Sequence, residues 1–142
     1  MTKLTKDVEC MEMIRRNLYL DKIRPFIDQD LIKVLIGLRR SGKTILLSQI
    51  RDVLLERGVS EENIIEINFE SRRFKRLEDA DNFYQYVMER AEQADGKVYL
   101  FFDEIQHVKE WHSVIPSFRI DLDCDIYVTG SNSKLLSGEL AT

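Results

Sequence analysis

The sequence predicts an α/β domain built on a parallel sheet, and three observations carry that expectation. Short runs rich in Ile, Val, Leu and Phe alternate with segments whose apolar residues recur at helical spacing. The chain is 142 residues long, about one domain, enough to bury a core of its own. It is 44% hydrophobic and 32% charged, with two prolines and six glycines, which suits a globular protein and not a disordered or fibrous one.

Residues 1–30 read as a helical leader: Val8, Met11, Ile14 and Leu18 suggest an amphipathic helix, and Pro25 breaks a second short one ending at "DQD". Residues 31–142 read as the core. It opens with "LIKVLIGL", an apolar run suited to a parallel strand buried on both faces. Leu46, Leu47, Ile50, Val53 and Leu54 follow at helical spacing, and Gly58 stands where a helix end favours a left-handed residue. In "NIIEINFE", Ile65, Ile67 and Phe69 alternate with Glu66 and Asn68, the period of a strand. After the basic connection "SRRFKRLEDA", Phe83, Tyr86, Val87, Arg90 and Ala91 mark a helix with an Asp-rich cap, closed near Gly96. "KVYLFFDEI" is the third strand and the most apolar. Trp111, Val114, Ile115, Phe118 and Leu122 form another helical face, and Pro116 either places that helix's start near Ser113 or kinks it. "CDIYVTGSNS" is a fourth strand, and "KLLSGEL" looks like the opening of a further helix. The order is β-α-β-α-β-α-β.

Net charge and cysteines narrow the classes of function. A formal charge of −4 and a pI of about 5.3 give no global field toward nucleic acid or an anionic membrane, so any nucleic-acid contact has to be local. "SRRFKR", four cations around one aromatic, is the one stretch suited to a phosphate backbone, although a solvated loop is the plainer reading. Cys10 and Cys124 lack metal-ligand spacing, and His107 and His112 are off helical register, so neither pair suggests a metal site. No apolar run approaches the ~20 residues of a membrane span, and the N-terminus lacks a signal-peptide stretch. A cytoplasmic protein is expected.

The chemistry concentrates in two places. "GLRRSGKT", residues 37–44, lies between the first strand and the first helix. A glycine loop there, with Gly37, Arg39, Arg40, Ser41 and Gly42, aims backbone N–H groups and the positive end of a helix dipole at one spot, where phosphate oxygens can sit. Lys43 would reach the outer phosphates and the Thr44 hydroxyl would ligate Mg²⁺. Asp103 and Glu104 follow four consecutive apolar residues at the carboxyl end of the third strand, where parallel sheets keep their ligand sites. The aspartate suits the metal and the glutamate a water that attacks the terminal phosphate.

Gly37 to Thr44 resembles a Walker A motif, and "LFFDE" resembles the Walker B motif of the AAA-like branch of P-loop NTPases. More closely, "GLRRSGKT", "FFDEIQ", Trp111 and "VTGSNSKLLSGEL" resemble a bacterial and archaeal family of predicted AAA-type ATPases with a C-terminal domain of uncharacterised function. The resemblance spans nearly the whole chain. It implies a three-layer P-loop core of AAA/RecA-like strand order, ATP as ligand, Mg²⁺ as cofactor, and a polar sensor at the tip of the fourth strand. Thr129, Ser131 and Asn132 are candidates for the sensor, with Ser131 and Asn132 preferred because they lie beyond the last apolar residue. Related ATPases often place the adenine near residues such as Tyr19, Leu20 and Ile23.

The family's sheet resembles the order 5-1-4-3-2 followed by a lid, whereas this chain ends after its fourth strand. The fifth strand and lid are therefore expected to be missing, leaving the first strand as an edge that self-associates or is covered by residues 1–30. Three readings of function follow. The first is an ATPase whose hydrolysis drives a conformational change in an absent C-terminal domain or partner. The second is a slow-turnover nucleotide-gated switch or binding module. A GTPase or small-molecule kinase is the third and has no guanine-reading motif or second substrate site to support it.

Overall fold

The computed structural model describes residues 20–36 and 40–131, which form a three-layer α/β domain. Four strands, β1 (Ile32–Leu35), β2 (Ile64–Asn68), β3 (Val98–Asp103) and β4 (Cys124–Thr129), make one sheet in the order β1-β4-β3-β2. Every pairing is parallel. Helices α1 (Arg40–Glu56), α2 (Ala80–Gln93) and α3 (Trp111–Asp121) connect the strands.

The two faces of the sheet bury different helices. Leu46, Leu47, Ile50, Val53 and Leu54, the apolar stripe of α1, pack with Tyr99, Phe101 and Tyr127 on one face. Leu20 and Ile27, from the segment ahead of β1, complete that layer. On the other face α2 and α3 cover Ile65, Ile67, Leu100, Phe102, Ile126 and Val128. Phe83 is the hub there, with ring centroids 4.8 Å from Phe102, 5.1 Å from Phe69 and 5.4 Å from Phe118, all edge-on. Edge-on pairs of this kind each add about 1 kcal/mol beyond the area they bury. The connection from β1 therefore leaves to one face and those from β2 and β3 to the other. In such sheets the crevice beyond the carboxyl ends of the strands is the place for a ligand.

Local signals explain the element ends. Asp79 caps α2 by accepting the Asn82 N–H at 3.0 Å, as the Asp-rich cap predicts. Gly58, at φ +94°, ends α1, with its N–H donating to the Leu55 carbonyl at 3.0 Å and Val59 N–H to the Leu54 carbonyl at 3.0 Å. Nothing lies within 4 Å of where a Cβ would stand on Gly58. Gly58→Ala should therefore meet the left-handed backbone cost alone, lowering stability by about 1 kcal/mol in a urea titration, and Gly58→Asn by less.

Two expectations need revision, and one alternative left open at Pro116 is decided. β1 is not buried on both faces: Ile32, Val34 and Leu35 are half-buried, and Leu31 and Ile36 beside it are exposed. The reason is that β1 pairs with β4 alone among the described residues. The basic connection is not open loop, since Arg72–Glu78 winds into a 3₁₀ segment that buries Leu77. Pro116 sits inside α3, which begins at Trp111 rather than near Ser113. Residues 1–19, which hold most of the leader, lie outside the described residues, as does the helix expected at "KLLSGEL". No helix among the described residues is long and apolar enough to cross a membrane. Cys124 is half-buried, and burial pushes its thiol up to about 11, which leaves it protonated and unreactive at neutral pH.

Candidate functional site

The carboxyl ends of β3 and β4 and the first turn of α1 meet at one point. Lys43 and Thr44 are the fourth and fifth residues of α1, where its first turn closes. Asp103 ends β3 and Thr129 ends β4. Lys43 Nζ donates to Glu104 Oε1 at 2.8 Å, and the Thr44 hydroxyl donates to Asp103 Oδ2 at 3.0 Å. The lysine–threonine pair and the aspartate–glutamate pair, some 60 residues apart in sequence, thus interlock residue for residue.

Thr129 joins the two carboxylate residues from the neighbouring strand. Its hydroxyl donates to Asp103 Oδ1 and accepts the Glu104 N–H at 3.0 Å. Of the sensor candidates, Thr129 is fully buried within this network, whereas Ser131 is half-buried and Asn132 lies outside the described residues. Gly37 and Arg39 also lie outside them, as do the side chains of Arg40 and Ser41. Gly42 is in the first turn of α1.

Glu104 is held in an unusual conformation. Its backbone is left-handed, φ 59° and ψ 53°, which costs a residue with a Cβ about 1–2 kcal/mol. That twist turns the chain out of β3 into the 3₁₀ turn Ile105–His107. Gln106, two residues on, donates its amide to Glu104 Oε2, while the Gln106 Oε1 is buried without a hydrogen-bond partner among the described residues. Nothing in the pattern of "FFDEIQ" singles out Gln106 for this contact; it follows from the turn.

Electrostatics keep Glu104 ionised. Burial would raise its pKa, but the Lys43 hydrogen bond and charge, with the Gln106 amide, outweigh that and hold the carboxyl below its ordinary value. Lys43, Asp103 and Glu104 are only 4%, 7% and 5% exposed, so they act on one another with little screening. His107 does not pair with His112. It stands instead with Glu70 and Glu104, the donor atoms of the three lying within 4.8 Å of one another.

Thr44 and Asp103 of the network line one recess, and a second is lined by residues around β1 and α1. The first, of about 440 Å³, is lined by Thr44, Ser48, Arg51, Asn68, Phe101 and Asp103 among others. The second, of about 280 Å³, is mostly apolar and lies between Ile23 and Phe26 on one side and Val34, Ile36 and Leu46 on the other. The Thr44 hydroxyl and the Asp103 carboxylate are hard oxygen donors on facing elements, the donor type that Mg²⁺ takes alongside water and phosphate oxygens.

An AAA domain family matches residues 29–142. The chain belongs to that AAA domain family. The AAA match covers β1 through β4 and hence every residue of the network described above. Among curated proteins, the chain is 45% identical over 130 residues to an uncharacterised protein of Haemophilus influenzae, covering 92% of this chain and 32% of that protein. It is 34% identical over 147 residues to an uncharacterised protein of Methanocaldococcus jannaschii, covering 98% of this chain and 32% of that one. This AAA chain thus spans about a third of the length of the curated relatives it matches. No solved structure matches it.

Proposed function

We propose that this AAA domain binds ATP with Mg²⁺ and hydrolyses it, and that hydrolysis drives a conformational change in the rest of the full-length protein or in a partner. The observation that carries this reading is the interlock of Lys43–Thr44 with Asp103–Glu104. It joins a helix N-terminus, a cation and a metal-type donor pair to a carboxylate held below its ordinary pKa.

Bound Mg²⁺ would neutralise charge on the outer phosphates, and Thr44 and Asp103 are the residues that would hold it. Lys43 leaves Glu104 for the β- and γ-phosphates, which frees the Glu104 carboxylate. Glu104 then accepts a proton from a water as its oxygen bonds to the γ-phosphorus and the bond from that phosphorus to the β–γ bridging oxygen breaks, leaving ADP and phosphate. Thr129 fixes the backbone of Glu104 and the carboxylate of Asp103 together, and Ser131 or Asn132 would meet the γ-phosphate beyond it. The apolar recess at Ile23, Phe26 and Leu46 suits the adenine ring, next to the helix that receives the phosphates. Arg39 and Arg40 would add charge at the triphosphate.

A switch with slow turnover is the second reading. The same ion pair favours it, because phosphate binding would take Lys43 away from Glu104 and so make the empty and loaded states distinct.

Titration calorimetry on the full-length protein tests nucleotide binding. ATP·Mg²⁺ is expected to bind more tightly than GTP·Mg²⁺. Lys43→Ala should weaken ATP binding by about 100-fold or more, the scale of losing a charged hydrogen-bond donor to phosphate. Equal affinity for both nucleotides, or unchanged binding by Lys43→Ala, overturns the assignment.

A further inference from the structure

The Glu104 carboxylate is held on both oxygens, and phosphate binding acts on only one of the two contacts. Lys43 Nζ holds Oε1 at 2.8 Å, and the Gln106 side-chain amide holds Oε2. Lys43 comes from α1 and is the cation that phosphates would draw away. Gln106 belongs to the 3₁₀ turn that follows Glu104 itself. Departure of Lys43 thus bares Oε1 while Oε2 stays held.

The turn that presents Gln106 is anchored on its own account. Ile105 and Val108, 0% and 2% exposed, are seated in the core beneath α2 and α3. The Val108 N–H donates to the Ile105 carbonyl at 3.0 Å, the His107 N–H to the Glu104 carbonyl at 3.3 Å, and the Lys109 N–H to the Glu78 carbonyl at 2.9 Å. Only the NH₂ end of a glutamine can face an ionised carboxylate, which accepts hydrogen bonds and donates none. The Gln106 Oε1 is therefore turned away from Glu104, and it is buried without a hydrogen-bond partner among the described residues. A buried acceptor left unpaired costs free energy, and an apolar side chain of similar length would avoid that cost. Packing alone does not call for an amide here; the bond to Glu104 does.

The surroundings of Glu104 show what that bond opposes. Glu70 and His107 stand beside it, with one donor atom from each of the three lying within 4.8 Å of the others. The Glu70 carboxylate repels an ionised Glu104, and the His107 imidazole offers it an alternative partner. We propose that Gln106 is a positioning residue for hydrolysis: its bond to Oε2 keeps the Glu104 carboxylate in place once Lys43 has left, so that Oε1 is the oxygen that takes the proton of the attacking water. The proton passes from water to Glu104, and Gln106 neither gives nor takes one. This role rests on the hydrolytic reading of the site.

Gln106→Met in the full-length protein tests it, since methionine removes the donor and the unpaired oxygen together while keeping an unbranched side chain of similar length. Its urea midpoint should equal or exceed that of the parent. Its kcat should fall about 10- to 100-fold with KM for ATP within about threefold, the pattern of an interaction needed at the transition state and not for binding. In the Glu104→Gln background, where no carboxylate remains to be placed, Gln106→Met should slow turnover no further. Parental kcat in Gln106→Met, or the same extra slowing in both backgrounds, overturns the role of Gln106 and leaves the ATPase reading standing. A urea midpoint that drops along with kcat marks the amide as structural and overturns it too. A full-length protein that hydrolyses no ATP, or whose Glu104→Gln variant keeps the parental rate, overturns both.

Discussion

Glu104→Gln is expected to leave ATP binding intact in the full-length protein while slowing hydrolysis by about 100-fold or more, the scale of losing a general base. The amide keeps the shape of the side chain and an oxygen that can still accept from Lys43. It cannot take a proton from water. Binding should not weaken, because Lys43 must leave residue 104 to reach the phosphates, and it leaves a neutral amide more readily than a carboxylate. Calorimetry for affinity and phosphate release for turnover separate the two effects. A variant that hydrolyses ATP at the parental rate would shift the function to the slow switch, since Glu104 would then not be what activates water.

How much of this was readable in advance follows from which interactions are local. Leu46, Leu47, Ile50, Val53 and Leu54 were legible as one face because helical periodicity is a property of neighbouring residues, and all five are buried. Asp103 and Glu104 were legible as the end of the third strand because an apolar run gives way there to two carboxylates. Chain order alone favours Ser131 and Asn132 over Thr129, because it places those two beyond the strand. What puts the Thr129 hydroxyl between Asp103 and Glu104 is instead the register of β3 against β4, in which Phe102 pairs with Val128. The left-handed backbone of Glu104 was also invisible, since glutamate has no special preference for it and the surrounding bonds impose it. The 3₁₀ winding at Arg72–Glu78 depends on burying Leu77 and seating Phe74 on Tyr86, contacts that a polar composition conceals.

Lys33 is the largest feature the sequence hid, and Lys33→Met should destabilise the domain by about 3–5 kcal/mol, the cost of stranding one member of a buried ion pair. It stands within "LIKVLIGL", a run that reads as a strand buried on both faces, where nothing in the sequence matches the lysine to a distant carboxylate. Its side chain is 3% exposed and pairs with Asp125, 0% exposed and 92 residues away. The pair is well satisfied: Lys33 Nζ also donates to the Gln29 carbonyl at 2.6 Å, and Asp125 Oδ2 accepts the Asp28 N–H at 2.9 Å and the Tyr127 hydroxyl at 2.5 Å. It ties β1 and β4 to the turn ahead of β1, and Lys97 and Tyr99 extend the tie by bonding Asp28 at 3.0 Å and 2.7 Å. With methionine at 33, the Asp125 carboxylate keeps two donors and loses its counter-charge, in a domain whose whole stability is on the order of 5–15 kcal/mol. Lys33→Met/Asp125→Asn removes that uncompensated charge and keeps both donors engaged by the amide oxygen, so it should recover more than half of the loss. Chemical denaturation of the single and double variants measures this. Because the pair lies at the end of the sheet away from Lys43 and Glu104, turnover per folded molecule should not change. A single variant as stable as the parent would mean that water or rearrangement replaces the lysine's charge, and that β1 is held by its apolar residues alone.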